Sequence, residues 1–224
     1  MGAKLAPSSV WAVLRSHDIE PAPRRSGLTW AEFLRAQATT VLACDFFTVG
    51  TVLLQRLYAP FFIEVGTRTV YLSGVTANPV GEWVAQQARN LSARLSGRSQ
   101  AVKYLVRDRG TKFTASFEEV FRSDGAKVIK TPVRSPRANA FAERFVGTAR
   151  RECLDRLLIF SSRHLEQVLT AYVGHYNEHR PHRSLGQRSP QQETGPAPVS
   201  LVYPGRLRRR DRLGGLVHEY ELAV

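Results

Sequence analysis

Cysteine is nearly absent: Cys44 and Cys153 are the only two in the chain. Two isolated cysteines are too few for a disulfide framework or a zinc ligand set, so each is expected to pack as a small core residue in a reducing compartment. Long apolar runs are missing too. No window approaches the length of a bilayer span, and the first residues lack the basic stretch and apolar run of a secretory signal. Ala6 stands where an N-myristoylation signal after Met1-Gly2 requires Ser or Thr, which excludes that anchor. Internal repeats and low-complexity segments are lacking. The expectation is a soluble, cytoplasmic protein without a membrane partner.

Negative charge is also in deficit. Nineteen Asp and Glu face 32 Lys and Arg, a formal net charge of +13 over 224 residues of which 43% are hydrophobic. That balance describes a folded chain that attracts polyanions, and nucleic acid is the commonest such partner. The length suits one main α/β domain with short appendages.

The pattern along the chain fits that frame. Ser8 to Ile19 reads as a short helix capped at Ser8 or Ser9, followed by a Pro-rich basic linker from Glu20 to Gly27 and a short helix over Thr29 to Gln37. Val41 to Thr48 is the continuous apolar run of a strand covered on both faces. Phe61 to Val65 and Thr69 to Ser73 read as a hairpin beside it, with Leu53 to Leu57 extending either strand. Asn78-Pro79 offers an N-cap and first-turn proline to a helix carrying Val80, Val84, Ala88, Leu91 and Leu95 and ending near Gly97. Val102 to Val106 is a strand that delivers Asp108 at its C-terminal end, where open α/β sheets place ligands. A helix over Phe113 to Arg122 and a strand over Lys127 to Lys130 follow. Thr131 to Arg137 reads as a mobile loop, and helices are expected over Ala138 to Leu158 and Ser162 to His179, with a small hairpin near Gly214-Gly215.

Three carboxylates carry the chemistry. Asp45 lies inside an apolar strand, where an unpaired carboxylate shifts its pKa or finds a compensating charge. Asp108 follows a strand, and Glu143 opens a helix 35 positions later. Taken singly, Asp45 reads as a satisfied core aspartate, Asp108 as a turn former before Arg-Gly, and Glu143 as a solvated helix residue. Together they suit Mg²⁺, which takes one or two carboxylates and keeps water and phosphate oxygens. Asn139, Glu143, Gly147 and Arg150 share one helical stripe, whereas Phe145, Ala149 and Cys153 form an apolar one. Glu64 is a competing acid in an apolar strand, ranked below the three. His175 and His179 have metal-ligand spacing but no zinc-protease glutamate beside them.

The order of Asp45, Asp108 and Glu143, with Ser135-Pro136 before the glutamate and Tyr176-Asn-Glu-His-Arg-Pro-His182 after it, resembles the DDE transposases and integrases. The likeness runs from about Ser9 to about Tyr220 and is nearest to insertion-sequence transposases of bacteria. Three features depart from the family pattern. The spacing from the second aspartate to the glutamate is one residue short, Arg150 stands where lysine is usual, and little chain precedes the core.

The resemblance implies an α/β, RNase H-like fold: a mixed five-stranded sheet with helices on both faces. It implies a remnant of a helical DNA-binding region plus linker over residues 1–38, a catalytic core over 39–185 and a basic tail over 186–224. It further implies two Mg²⁺ or Mn²⁺ ions on Asp45, Asp108 and Glu143, and cleavage of DNA 3′ ends followed by strand transfer. Element ends and target DNA would be the partners of a homo-oligomer associated with the bacterial nucleoid. Candidate DNA contacts are Arg134, Arg137, Asn139, Arg144, Arg150, Arg151, Arg180 and Arg183. Two other readings fit the same residues: a catalytically idle DNA-binding fragment, and an RNase H-like nuclease of another kind.

Overall fold

A computed structural model of the chain describes residues 6–17, 29–98, 100–131, 139–192 and 207–222. The chain divides into two units, Met1–Phe33 and Leu34–Val224. In the first, helix α1 (Pro7–Ser16) begins one residue before the expected serine cap and stops short of Ile19. Its N-cap is Ala6, which has no capping side chain, and Pro7, whose ring presets the helical φ, fills the first turn. Helix α2 (Trp30–Ala36) follows across the boundary.

The second unit is built on a five-stranded sheet in the order β3-β2-β1-β4-β5. Its strands are β1 (Val41–Gly50), β2 (Arg56–Glu64), β3 (Val70–Leu72), β4 (Tyr104–Arg107) and β5 (Lys127–Lys130). The first three pair antiparallel, and β1-β4 and β4-β5 pair parallel. Of the Leu53 to Leu57 stretch, Arg56 and Leu57 open β2, whereas Leu53 and Leu54 lie in the turn of the first hairpin, 81% and 93% exposed.

Side-chain alternation sorts the sheet into two packed faces. Leu42, Cys44, Phe62 and Leu105 meet Val84, Ala88 and Leu91 of α3 (Gly81–Leu95) and Phe117 and Phe121 of α4 (Ala115–Ser123). On the other face Phe47 and Phe61 close on Phe145 of α5 (Ala140–Glu152), with ring centroids 5.5 and 5.0 Å away. Phe145 then packs edge-on against Tyr176 of α6 (Ser162–Glu178) at 4.7 Å. The apolar stripe of Phe145, Ala149 and Cys153 is buried as its spacing predicts. Both cysteines are buried free thiols.

Several element ends differ from their sequence signals. Helix α3 starts at Gly81, because Thr76 Oγ1 takes the Asn78 N–H at 3.1 Å and Val80 holds the cap position without a side-chain bond. Helix α5 stops at Glu152: Cys153 leaves helical geometry (φ −139°, ψ −66°) to reach the core, and a 3₁₀ turn over Leu154–Arg156 replaces the expected continuation to Leu158. Asn177, from the Tyr-Asn pair, acts as a strand partner. Its amide donates to Val70 O at 2.8 Å and accepts from Val70 N at 2.9 Å, which satisfies the exposed edge of β3. The expected hairpin is present as β6 (Leu207–Arg212) and β7 (Val217–Leu222), turning through Gly214 and Gly215 at φ +67° and +86°.

Candidate active site

Register places the first two carboxylates. Cys44 of β1 lies opposite Arg107 of β4, so continuing the parallel pairing sets Asp45 beside Asp108. Cys44 and Arg107 point toward α4, so alternation turns Asp45 and Asp108 toward α5. The third carboxylate stands in the first turn of that helix.

Helix α5 is tied to β1 at two levels. Asn139 Nδ2 donates to Cys44 O at 3.2 Å, and Arg150 Nη2 donates to Thr48 O at 2.6 Å. Glu143 lies between those anchors on the same stripe, exposed at the site. The like charges act on one another. Burial pushes Asp45 up to about 6, with the Asp108 and Glu143 charges adding to the rise, against the Phe46 N–H bond at 2.7 Å and the Lys112 charge. Burial, Asp45 and Asp108 likewise hold the Cys44 thiol well above its usual range, so it is inert at neutral pH.

Asp108 is positioned from both sides. Gly110 N–H donates to Asp108 Oδ1 at 3.0 Å, and Arg107 Nη1 donates to Asp108 O at 2.7 Å. Arg107 was not legible as a support residue. It is buried, and its other arm pairs with the buried Glu118 of α4, which Lys130 also meets at 3.1 Å. Burial raises the Glu118 pKa, but its bonds from Arg107 and Lys130 outweigh that and hold it low. Lys112 is a second residue the sequence did not flag. Its Nζ sits 5.0 Å from the Tyr58 ring centroid and 5.8 Å from that of Phe46, next to Asp45.

The candidate DNA contacts separate into groups. Arg134 and Arg137 lie outside the described residues. Asn139 is buried on Cys44 O, Arg150 is engaged with Thr48 O and with Asp155 at 3.6 Å, and Arg180 forms a two-pronged pair with Glu152 at 2.7 to 3.2 Å. In the structure these three tie elements together. Arg144, Arg151 and Arg183 are exposed. Glu64 is occupied by Thr67, Tyr71 and Arg98, the last at 2.8 Å.

Every atom of the Asp45, Asp108 and Glu143 side chains that could bind a cation is a hard oxygen donor, and burial together with the Asp108 and Glu143 charges raises Asp45. The residues therefore fit a divalent cation. Among the described residues, the acidic and histidine ligand atoms that all come within 4.8 Å of one another belong instead to His179, Glu219 and Glu221. Glu219 there already accepts from Arg212 Nε at 2.9 Å, and the group docks β7 on α6.

A mixed five-stranded sheet of this order, with helices on both faces, is the RNase H-like fold. The catalytic domain of Mos1 mariner transposase superposes with a TM-score of 0.54 at 12% identity, over 78% of this chain and 85% of that one. A chain of the simian T-cell lymphotropic virus intasome in complex with PP2A regulatory subunit B56 gamma gives 0.53 at 12% identity, over 98% of this chain and 83% of its own.

Residues 124–190, which hold Glu143 and the Tyr176 to His182 run, match the family model of the integrase core domain. Transposase InsD for insertion element IS2D of Escherichia coli strain K12 is 35% identical over 95 residues, 42% of this chain and 31% of that protein. The insertion element IS407 uncharacterized 31.7 kDa protein of Burkholderia multivorans is 31% identical over 113 residues, 50% of this chain and 39% of its own length. The chain thus spans less than half of the curated relatives it matches. Fold, family match and relatives bear out the resemblance to transposase and integrase catalytic cores. Among the described residues no helix is long and apolar enough to cross a membrane.

Proposed function

We propose that residues 39–185 form the catalytic core of an insertion-sequence transposase that cleaves DNA at the 3′ ends of an element and joins those ends to target DNA. The observation that supports this reading is the approach of three carboxylates from separate elements, Asp45 on β1, Asp108 directly after β4 and Glu143 on the helix packed over them, near enough for the other two charges to act on Asp45.

Asp45, Asp108 and Glu143 would hold Mg²⁺ or Mn²⁺, two ions in the full site, which supply Lewis-acid activation of the attacking oxygen and charge neutralisation at the leaving oxygen. The chain's own residues do the positioning. Gly110 N–H and Arg107 fix Asp108, Asn139 and Arg150 fix the angle of Glu143 to β1, and Lys112 brings positive charge to the edge where a phosphodiester would lie. Arg144, Arg151 and Arg183 offer exposed cations to the DNA backbone; such contacts position the duplex without reading its sequence. The active species is a homo-oligomer. The exposed Leu53, Leu54, Leu158 and Phe160, brought together by the Val52 N–H bond to Ile159 O at 2.8 Å, provide an apolar surface for such contact.

The test is Mn²⁺-dependent cleavage and strand transfer on labelled element-end DNA, comparing wild type with Glu143→Gln. Joining that disappears in the variant supports a transposase core. Cleavage without joining would favour an RNase H-like nuclease, and binding without chemistry in either protein an idle DNA-binding fragment.

A further inference from the structure

A cavity of about 380 Å³ opens on the flank of α5, one helical position round from Glu143. Its wall brings together the β2-β3 turn, α5 and the segment after α6, and it is strongly cationic: Arg68, Arg144, Arg180 and Arg183 all line it. Arg180 is neutralised by Glu152. Arg144 and Arg183 have no ion pair among the described residues, and neither has Arg68.

Two buried polar atoms of this wall lack any partner. Arg68 Nη1 and His182 Nε2 are both shielded from solvent without a hydrogen bond. Leaving such groups unmet is costly, most of all for a cation, so each points to a ligand that supplies the missing bond. The Arg68 guanidinium carbon lies 4.1 Å from the Phe141 ring centroid, a cation–π contact that holds the side chain against α5. Its backbone sits at φ +67°, a conformation that disfavours a long side chain and that the turn nevertheless imposes through the Arg68 N–H bond to Glu64 O at 2.9 Å. Burial and the Arg144 charge weaken its hold on the proton, only partly offset by Tyr176, as expected for a cation awaiting an anion.

We propose that this cavity binds a phosphate group, with the half-buried Arg68 as the cation that meets it and Arg144 and Arg183 at its rim. A planar guanidinium is matched in geometry to phosphate oxygens. Resting on the transposase reading, the source of that phosphate is the backbone of the DNA substrate, held beside α5 while Glu143 faces the reacting bond. Arg68 becomes a DNA-binding residue remote in sequence from the basic segments that first suggest themselves.

The experiment uses the full chain with Arg68→Gln and Arg68→Lys, urea unfolding confirming that each is folded. Fluorescence anisotropy with a labelled oligonucleotide duplex is measured across a salt series, and inorganic phosphate is titrated separately by thermal shift. Arg68→Gln is expected to weaken DNA binding about tenfold and to reduce the salt slope by about one, with Arg68→Lys recovering the slope. Loss of the phosphate-induced shift with DNA binding unchanged would keep the phosphate pocket and overturn DNA as its source. A folded Arg68→Gln that matches wild type for both probes overturns the proposal. Should the variants not fold, phosphate protection of Arg68 against phenylglyoxal, mapped on the wild-type chain, decides the same point, and absence of protection refutes it. Glu143→Gln is expected to lose chemistry while keeping this binding, so failure of the catalytic reading and failure of the pocket are separable.

Discussion

Replacing Asp45 by Asn should stabilise the fold at neutral pH, and the structure sets the size of the effect. Asp45 is raised from 3.8 to about 6 by burial and by the Asp108 and Glu143 charges. The folded state therefore binds more protons than the unfolded one between those two values. Stability falls as pH rises through that window, and the full cost is present above it. A shift of roughly two units at about 1.36 kcal/mol each corresponds to about 2–3 kcal/mol. Asn keeps an oxygen to accept the Phe46 N–H that now bonds Asp45 Oδ1 at 2.7 Å, so the charge is removed without orphaning that donor. The assay is urea denaturation of both proteins with chelator present, from about pH 4 to about pH 8. Asp45→Asn is expected to gain about 2–3 kcal/mol over wild type at the alkaline end relative to the acid end. Other titrating groups are common to both proteins and largely cancel in the difference. Added Mg²⁺ should then raise the wild-type midpoint at neutral pH and leave the variant's nearly unmoved, because a cation that binds only the folded carboxylates stabilises by mass action. A difference that is flat with pH, or a variant less stable than wild type at about pH 8, refutes the argument that this carboxylate is under-compensated.

Three further outcomes are expected. Gly110→Ala places a Cβ 3.0 and 3.1 Å from the two Asp108 carboxylate oxygens, so strand transfer should fall at least about tenfold while the unfolding free energy changes by about 1 kcal/mol or less; unchanged strand transfer would show that Asp108 has other room. Phe145→Ala removes the ring that joins β1, β2 and α6, and should cost about 3–5 kcal/mol by urea midpoint; a loss under about 1 kcal/mol would mean that this ring does not anchor α5. Arg180→Ala leaves Glu152 with Tyr172 as its remaining side-chain partner, a half-exposed position where about 1–3 kcal/mol of stability should be lost, and lysine should not restore the two-pronged pair. Weakened DNA binding by a fully stable Arg180→Ala would return that arginine to the phosphate contacts.

The parts of the fold that were readable are those whose causes are local. Val41 onward is apolar on both faces because helices cover both, and Lys127–Lys130 is bounded by signals on either side, so both strands stand where the pattern puts them. The stripe of Asn139, Glu143 and Arg150 follows from helical period alone, and its two polar ends do reach β1. What period cannot give is the target of a long side chain. Asn139, Arg150 and Arg180 read equally well as phosphate contacts until the carbonyls of Cys44 and Thr48 and the carboxylate of Glu152 are brought to them by strand pairing and helix packing.

Arg68 shows the converse. In sequence it is a polar residue in a Gly-Thr-Arg-Thr turn, the commonest surroundings of a solvated arginine. It becomes a half-buried cation because α5 lays Phe141 against it and because the chain after α6 folds back, more than 100 positions later, to bring His182 into the same cavity. No local pattern encodes that encounter, since burial of the guanidinium is produced by elements that acquire their positions only once the sheet is complete. The same non-locality explains why Lys112 and Arg107 escaped notice beside Asp45 and Asp108. Residues that supply the chemistry announce themselves by being out of place in their own segment, as an aspartate does in an apolar strand. Residues that hold or complement the chemistry are ordinary where they stand, and only their three-dimensional neighbours make them unusual.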